Sequence, residues 1–205
     1  MFLILSEHTI RAILSFCLFL FPVPLALAEE ASSTVVQLQE TILKIMKKGE
    51  ELGYKGRYKI ITPVVEQTHD LPVISRITVG RYWKKLTPEQ QTIFTNTFNK
   101  LSHATYAGRF NSYSGEQFSL ISEKSMKRNR KLVQTRFVKS NGEEIRFNYI
   151  LHQTNDQWKI INIIVNGVSD LALKRVEYGS ILKKDGYPPL IEKLRLQIKE
   201  NANGQ

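Results

Sequence analysis

The stretch from Gln117 to Val165 constrains the fold most, because its apolar positions recur at every second residue and tight-turn dipeptides punctuate it. Strands are predicted at Gln117 to Ser122, Leu132 to Lys139, Glu144 to Gln153 and Gln157 to Val165. In the third, Ile145, Phe147, Tyr149 and Leu151 share one face, while Arg146, Asn148 and His152 share the other. Asn141-Gly142 and Asn155-Asp156 are hairpin signals, so the prediction is an antiparallel meander of four strands. A sheet that is apolar on one face must bury that face against another layer.

The flanking sequence supplies helices for that layer. Thr34 and Gln37 have capping-box spacing, and Val35, Leu38, Ile42, Ile45 and Met46 follow at helical intervals until Gly49 and Gly53. Pro63 and the Asp70-Leu71-Pro72 step bracket shorter helical pieces, one carrying Arg76, Ile77, Gly80 and Trp83. A stronger start lies at Thr87-Pro88-Glu89-Gln90, after which Phe94, Phe98 and Leu101 line one face as far as Gly108. Beyond the strands, Ser169 caps a helix that ends at Asp185-Gly186, and Pro188-Pro189 opens a last one. The predicted class is α+β: a twisted four-stranded antiparallel sheet covered by helices, in one domain over residues 29–205.

Residues 1–28 read as a secretory signal. An apolar run from Ala12 to Phe21 is followed by Pro22, Pro24 and the small-residue pattern Ala26-Leu27-Ala28, which places cleavage after Ala28 and the mature chain in an exported compartment. The run is too short to span a bilayer, which takes roughly 20 apolar residues. The single cysteine, Cys17, lies inside this segment, so no disulfide is expected and an apolar core must hold the fold. The net charge of +10 predicts attraction to anionic surfaces, and export favours lipid or acidic protein over nucleic acid.

Little in the sequence looks like catalysis. Past the signal the histidines are His69, His103 and His152, and no pair has metal-ligand spacing, so neither a metal nor another cofactor is expected. Gly167-Val168-Ser169 lacks the second glycine of a nucleophile elbow, because Leu171 stands in its place. Lys124, Lys127, Arg128, Arg130 and Lys131 fall between the first two strands. They read either as a solvated hairpin end or as a docking patch for anionic headgroups, each cation being worth about 1 kcal/mol near such a surface. Aromatic residues are numerous enough to line a wide space between sheet and helices, but composition does not decide whether that space is filled or hollow.

Three stretches in order carry a resemblance. Asp70-Leu71-Pro72 leads into Gly80-Arg81-Tyr82-Trp83-Lys84 and Thr87-Pro88-Glu89-Gln90-Gln91; Thr105-Tyr106-Ala107 leads into Tyr113-Ser114-Gly115-Glu116; Trp158-Lys159-Ile160 leads into Gly167-Val168-Ser169-Asp170-Leu171. Together they resemble the MlaC family of periplasmic phospholipid-binding components of ABC-type lipid transport systems, also called toluene-tolerance proteins. The Ser169–Arg175 run and the Tyr113–Glu116 turn look most like the hopanoid-associated HpnM branch. His69 departs from the pattern, since the family commonly has phenylalanine before the aspartate.

The resemblance implies an apolar cavity that holds lipid tails between the sheet and the helices. It also implies a periplasmic shuttle carrying phospholipid or hopanoid between inner and outer membranes. Its partners would be an inner-membrane ABC lipid transporter or hopanoid exporter and an outer-membrane acceptor, with no nucleic acid. No catalytic group is needed, because a dry cavity only has to offset the roughly 0.8 kcal/mol that each methylene costs in water. Periodicity and the family fold together put Phe94, Phe98, Leu101, Tyr106, Phe147, Tyr149, Leu151, Val168, Leu171 and Tyr178 in the cavity wall. Two rivals stand beside this reading. An enzyme on a similar cavity would need a histidine or carboxylate pair inside it, such as His103 beside an acid, and a membrane-associated scaffold for hopanoid biosynthesis would keep its N-terminal segment and fill its core.

Overall fold

A computed structural model describes residues 30–203; the expected signal, residues 1–28, lies outside the described residues. The chain begins with α1 (Ala31–Lys47), α2 (Gly49–Thr68) and α3 (Leu71–Val79), passes through a 3-10 segment (Gly80–Lys85) and enters α4 (Pro88–Arg109). The strands follow as β1 (Gln117–Met126), β2 (Arg130–Val138), β3 (Glu144–Thr154), β4 (Gln157–Val165) and β5 (Val168–Ser169), and α5 (Asp170–Lys184) and α6 (Tyr187–Ala202) close the chain. Among the described residues no helix is long and apolar enough to cross a membrane.

The sheet is antiparallel and follows chain order, but it has five strands where four are predicted. The extra strand comes from Asn166-Gly167, whose φ values of 48° and 86° make a two-residue hairpin loop and fold Val168-Ser169 back onto Ile164-Val165. The signal was legible, since Asn-Gly is a preferred pair for such a turn; a strand of two residues is too short to show periodicity. Along the rest of the free β4 edge, His69 makes a parallel bridge with Ile160, and the Asp70 amide donates to the Ile160 carbonyl at 3.0 Å. The β1 edge carries a bulge between Leu120 and Ser122.

Side-chain caps mark where α3, α4 and α5 start. Thr87 and Gln90 form a reciprocal capping box on α4, and the Ser169 side chain accepts the Ala172 amide at the start of α5. The Thr34–Gln37 expectation fails: α1 begins earlier, at Ala31, and Thr34 Oγ1 instead donates to the Trp158 carbonyl of β4 at 3.1 Å. Pro63 does not break its helix either, because α2 runs through it and kinks earlier, at Gly53, where φ is 55°. The buried Arg57 ties the start of α2 to the far end of α4, donating to the Gly49 carbonyl at 2.7 Å and to the Ala107 carbonyl at 2.8 Å. A β-carbon at Gly49 would lie 1.9 Å from the Asn111 carbonyl oxygen, so only glycine fits that crossing.

Helices α1, α2, α3 and α5 lie against strands, whereas α4 packs chiefly on α2, α3 and α6. One buried cluster runs through both layers, from Val35, Leu38 and Ile42 of α1 to Val133, Tyr149, Leu151 and Ile160 of the sheet.

Candidate functional site

Register identifies the covered face of the sheet. Gln39 of α1 donates to Thr135 Oγ1 at 2.9 Å and to Tyr149 Oη at 3.3 Å, so Thr135 and Tyr149 point toward the helices. Directly opposed residues in an antiparallel ladder share a face. Leu120, Thr135, Phe147, Val165 and Val168 therefore form one inward row across all five strands, and Phe118, Phe137 and Ile145 form the next. Their rings make a continuous ladder: Phe118–Phe137 centroids are 4.7 Å apart, Phe137–Phe147 6.3 Å and Phe147–Tyr149 6.1 Å.

Burial along this face is uneven. Val133, Tyr149, Leu151 and Ile160 are closed off, whereas Phe118, Ile145, Phe147, Ile163 and Val165 are only half-buried although they belong to the covered side. The Leu120–Val168 row is open at both ends, with Leu120 52 % and Val168 53 % exposed. The helical layer thus seals one part of the aromatic face and leaves the other accessible, which is the arrangement an elongated apolar ligand requires.

Tyr106 of α4 reaches the covered side. Its ring stacks on Phe110 at 6.0 Å, and burial raises its hydroxyl well above the usual tyrosine range although the ring stays partly accessible. That hydroxyl is 3.1 Å from His69 Nε2, and His69 Nδ1 is 2.9 Å from Thr68 Oγ1. Thr68 donates its own proton to the Val64 carbonyl at 2.7 Å, so its oxygen accepts from Nδ1–H, and Nε2 accepts from Tyr106. Burial pushes the His69 imidazole down to about 3, and a histidine that is neutral near pH 7 with both nitrogens engaged is a structural bridge between α2 and α4. Burial likewise pushes the Tyr149 hydroxyl up to about 12.

The ten residues expected in a cavity wall fall into two groups. Phe94, Phe98, Leu101 and Tyr178 are buried, with the Phe94 ring 6.1 Å from Phe98 and 6.2 Å from Tyr178. Phe147, Tyr149 and Leu151 stand on the sheet with Tyr106 beside them, while Val168 and the half-buried Leu171 mark the open edge at β5 and the start of α5. Leu101 and Tyr178 also floor a polar recess of about 250 Å³ rimmed by Arg109, Lys174, Glu177 and Glu200; a second recess, of about 440 Å³, lies between Tyr82, Leu86, Leu182 and Tyr187.

The basic run folds as the β1–β2 hairpin end. Lys124, Lys127 and Arg128 are exposed there, and Arg130 begins β2. Lys131 is engaged elsewhere: its ammonium is 3.1 Å from Glu123 and lies over the Trp158 ring.

Residues 36–196 match the family described as "MlaC protein". The chain belongs to the MlaC family. It is 26 % identical over 171 residues to toluene tolerance protein ttg2D of Pseudomonas putida, covering 81 % of this chain and 79 % of that one. It is 27 % identical over 121 residues to the intermembrane phospholipid transport system binding protein MlaC of Haemophilus influenzae, covering 57 % of this chain and 56 % of that one. A phospholipid-binding protein from Ralstonia solanacearum, solved in complex with a phospholipid, shares the fold with a TM-score of 0.71, 22 % identity, and coverage of 85 % of this chain and 99 % of that one.

Within this MlaC fold, sequence reasoning missed Phe118, Leu120, Ile163 and Val165 as members of the inward rows. Alternation alone could have added Phe118, but the bulge after Leu120 and a second irregularity beside Leu151 shift the phase on β1 and β4. It also missed the His69–Tyr106 bridge, which joins positions 37 residues apart and has no local signature. His103, the test of the enzyme reading, is 4 % exposed and faces Tyr58 and Glu66 of α2, with Nε2 3.8 Å from the carboxylate and without a hydrogen-bond partner. Among the described residues no group of three or more acidic, histidine or cysteine side chains could hold a metal ion.

Proposed function

We propose that this protein is an exported lipid carrier, which shelters the tails of a membrane lipid against the half-open aromatic face and moves it between membranes. The observation that carries this reading is the uneven cover of one continuous apolar face: Phe118, Phe147 and Val165 keep accessible surface on the helix side of the sheet. Apolar surface left in water costs about 25 cal/mol per Å², so a face built this way gains from an apolar occupant. The names of the relatives agree, since one is a phospholipid transport binding protein and another was solved with a phospholipid.

The finer reading is that residues 1–28 are a signal removed after Ala28, that residues 29–205 act as one domain in the periplasm, and that the cargo is a phospholipid or a hopanoid. The cavity wall would use Tyr106, Phe147, Tyr149, Leu151, Val168 and Leu171, with Phe94, Phe98, Leu101 and Tyr178 repacking to lengthen it. Lys124, Lys127, Arg128 and Arg130 would meet acidic faces of the partners, which are an inner-membrane ABC transporter or hopanoid exporter and an outer-membrane acceptor. No reacting group is required, and His69 and His103 lie in helix–helix contacts.

Mass spectrometry of solvent extracts from protein purified without detergent tests this reading. Near-stoichiometric phospholipid or hopanoid is expected, and a lipid-free protein that also fails to take up lipid from vesicles would reject it.

A further inference from the structure

Among the described residues, the three most solvent-exposed large apolar side chains beyond the β1 edge lie on one continuous stretch. Val168 immediately precedes the Ser169 cap of α5, and Leu173 occupies the position that meets it in a hydrophobic staple. Val176 follows one turn later on the same side of the helix. In a soluble helix these positions would be polar, yet Leu173 is 59 % and Val176 74 % exposed.

The surroundings of this stripe are basic. The Arg175 guanidinium lies next to Gly80, and the 3-10 segment packs against α5. Arg81 and Lys85 both lie over the Tyr82 ring, and Lys84 is exposed next to them. Lys183 and Lys184 end α5. The acids of α5 are engaged, Asp170 with Lys174 and Glu177 with Lys193, and none of these six cations has a carboxylate partner among the described residues.

We infer that this face, the α5 stripe with its basic border, is where the protein docks on the surface of an anionic bilayer. Exposed apolar side chains enter the acyl boundary while surrounding cations meet the headgroups, the two contributions that interfacial binding combines. An acidic protein face would complement the cations, but it would not by itself explain apolar side chains left this far out of the fold. Position adds a third argument. Val168 is the last residue of the inward row that contains Phe147 and Val165, so the stripe continues the aromatic face out to the surface. A bilayer seated on α5 would meet the open end of that face, and a lipid tail could pass from one apolar surface to the other without crossing water.

The test is vesicle flotation of the purified protein with phosphatidylcholine alone and with phosphatidylcholine mixed with phosphatidylglycerol. Binding to the mixed vesicles is expected to exceed binding to phosphatidylcholine by about tenfold or more and to weaken with salt. Leu173→Ser with Val176→Ser, and separately Lys183→Glu with Lys184→Glu, should each lower it by about tenfold while circular dichroism and co-purified lipid stay unchanged. Because these side chains are exposed, the variants are expected to fold. Undiminished binding by the serine pair, equal binding to both vesicle types, or no binding to either would overturn the proposal. So would a loss confined to Lys127→Glu with Arg128→Glu, which would put docking at the hairpin tip. Co-purified lipid reports on the carrier reading separately, so each can fail alone.

Discussion

Lowering the pH from 7 to 5 should destabilise this protein through His69. Burial holds its folded-state pKa at about 3, against 6.5 for the unconstrained side chain. The unfolded chain therefore takes up a proton below pH 6.5 that the folded chain refuses, and stability falls with pH from 6.5 down to the folded pKa. Each unit is worth about 1.4 kcal/mol, so the loss at pH 5 is about 2 kcal/mol. At a urea dependence of about 2 kcal/mol per M, this moves the unfolding midpoint by about 1 M. The shift of His103 is also downward, from burial opposed by Glu66, and acts in the same sense, so the His69 share needs its own control. His69→Gln cannot titrate yet keeps an amide for Tyr106 and Thr68. Urea titrations at pH 7 and pH 5 should show the wild-type midpoint falling about 1 M further than that of the variant, and equal falls in both proteins would refute the argument that His69 is buried neutral.

Other outcomes follow from single contacts. Thr87→Ala removes the capping box of α4 and should cost about 1 kcal/mol by urea unfolding without changing lipid content. Gln39→Ala leaves the hydroxyls of Thr135 and Tyr149 without their shared donor in a closed part of the core, and should cost about 1–3 kcal/mol in the same assay. Phe147→Asp places a carboxylate in the inward row beside Thr135 and Val165; because Phe147 is only half-buried, the variant should fold, with co-purified lipid reduced about tenfold by mass spectrometry. A folded Phe147→Asp protein with wild-type lipid content would place the cargo elsewhere.

The sequence by itself determined most of the framework, because the signals involved are local. Period-two alternation placed β3 and β4, the Thr87–Gln90 box placed the start of α4, and Ser169 with Asp185-Gly186 bounded α5. Motifs in order pointed to the family. What the tertiary structure alone decided is which apolar residues stay closed and which stay open. Phe94 and Phe147 look alike in sequence, yet Phe94 is sealed against Tyr178 while Phe147 keeps accessible surface beneath an incomplete helical cover. The Asn166-Gly167 turn and the bulge after Leu120 set the inward rows, and the crossing of α2 with α4 turned His69 into a buried bridge to Tyr106. Caps, turns and alternation are fixed by neighbours a few residues apart, whereas burial is a property of surfaces brought together from distant segments, and no local pattern encodes it.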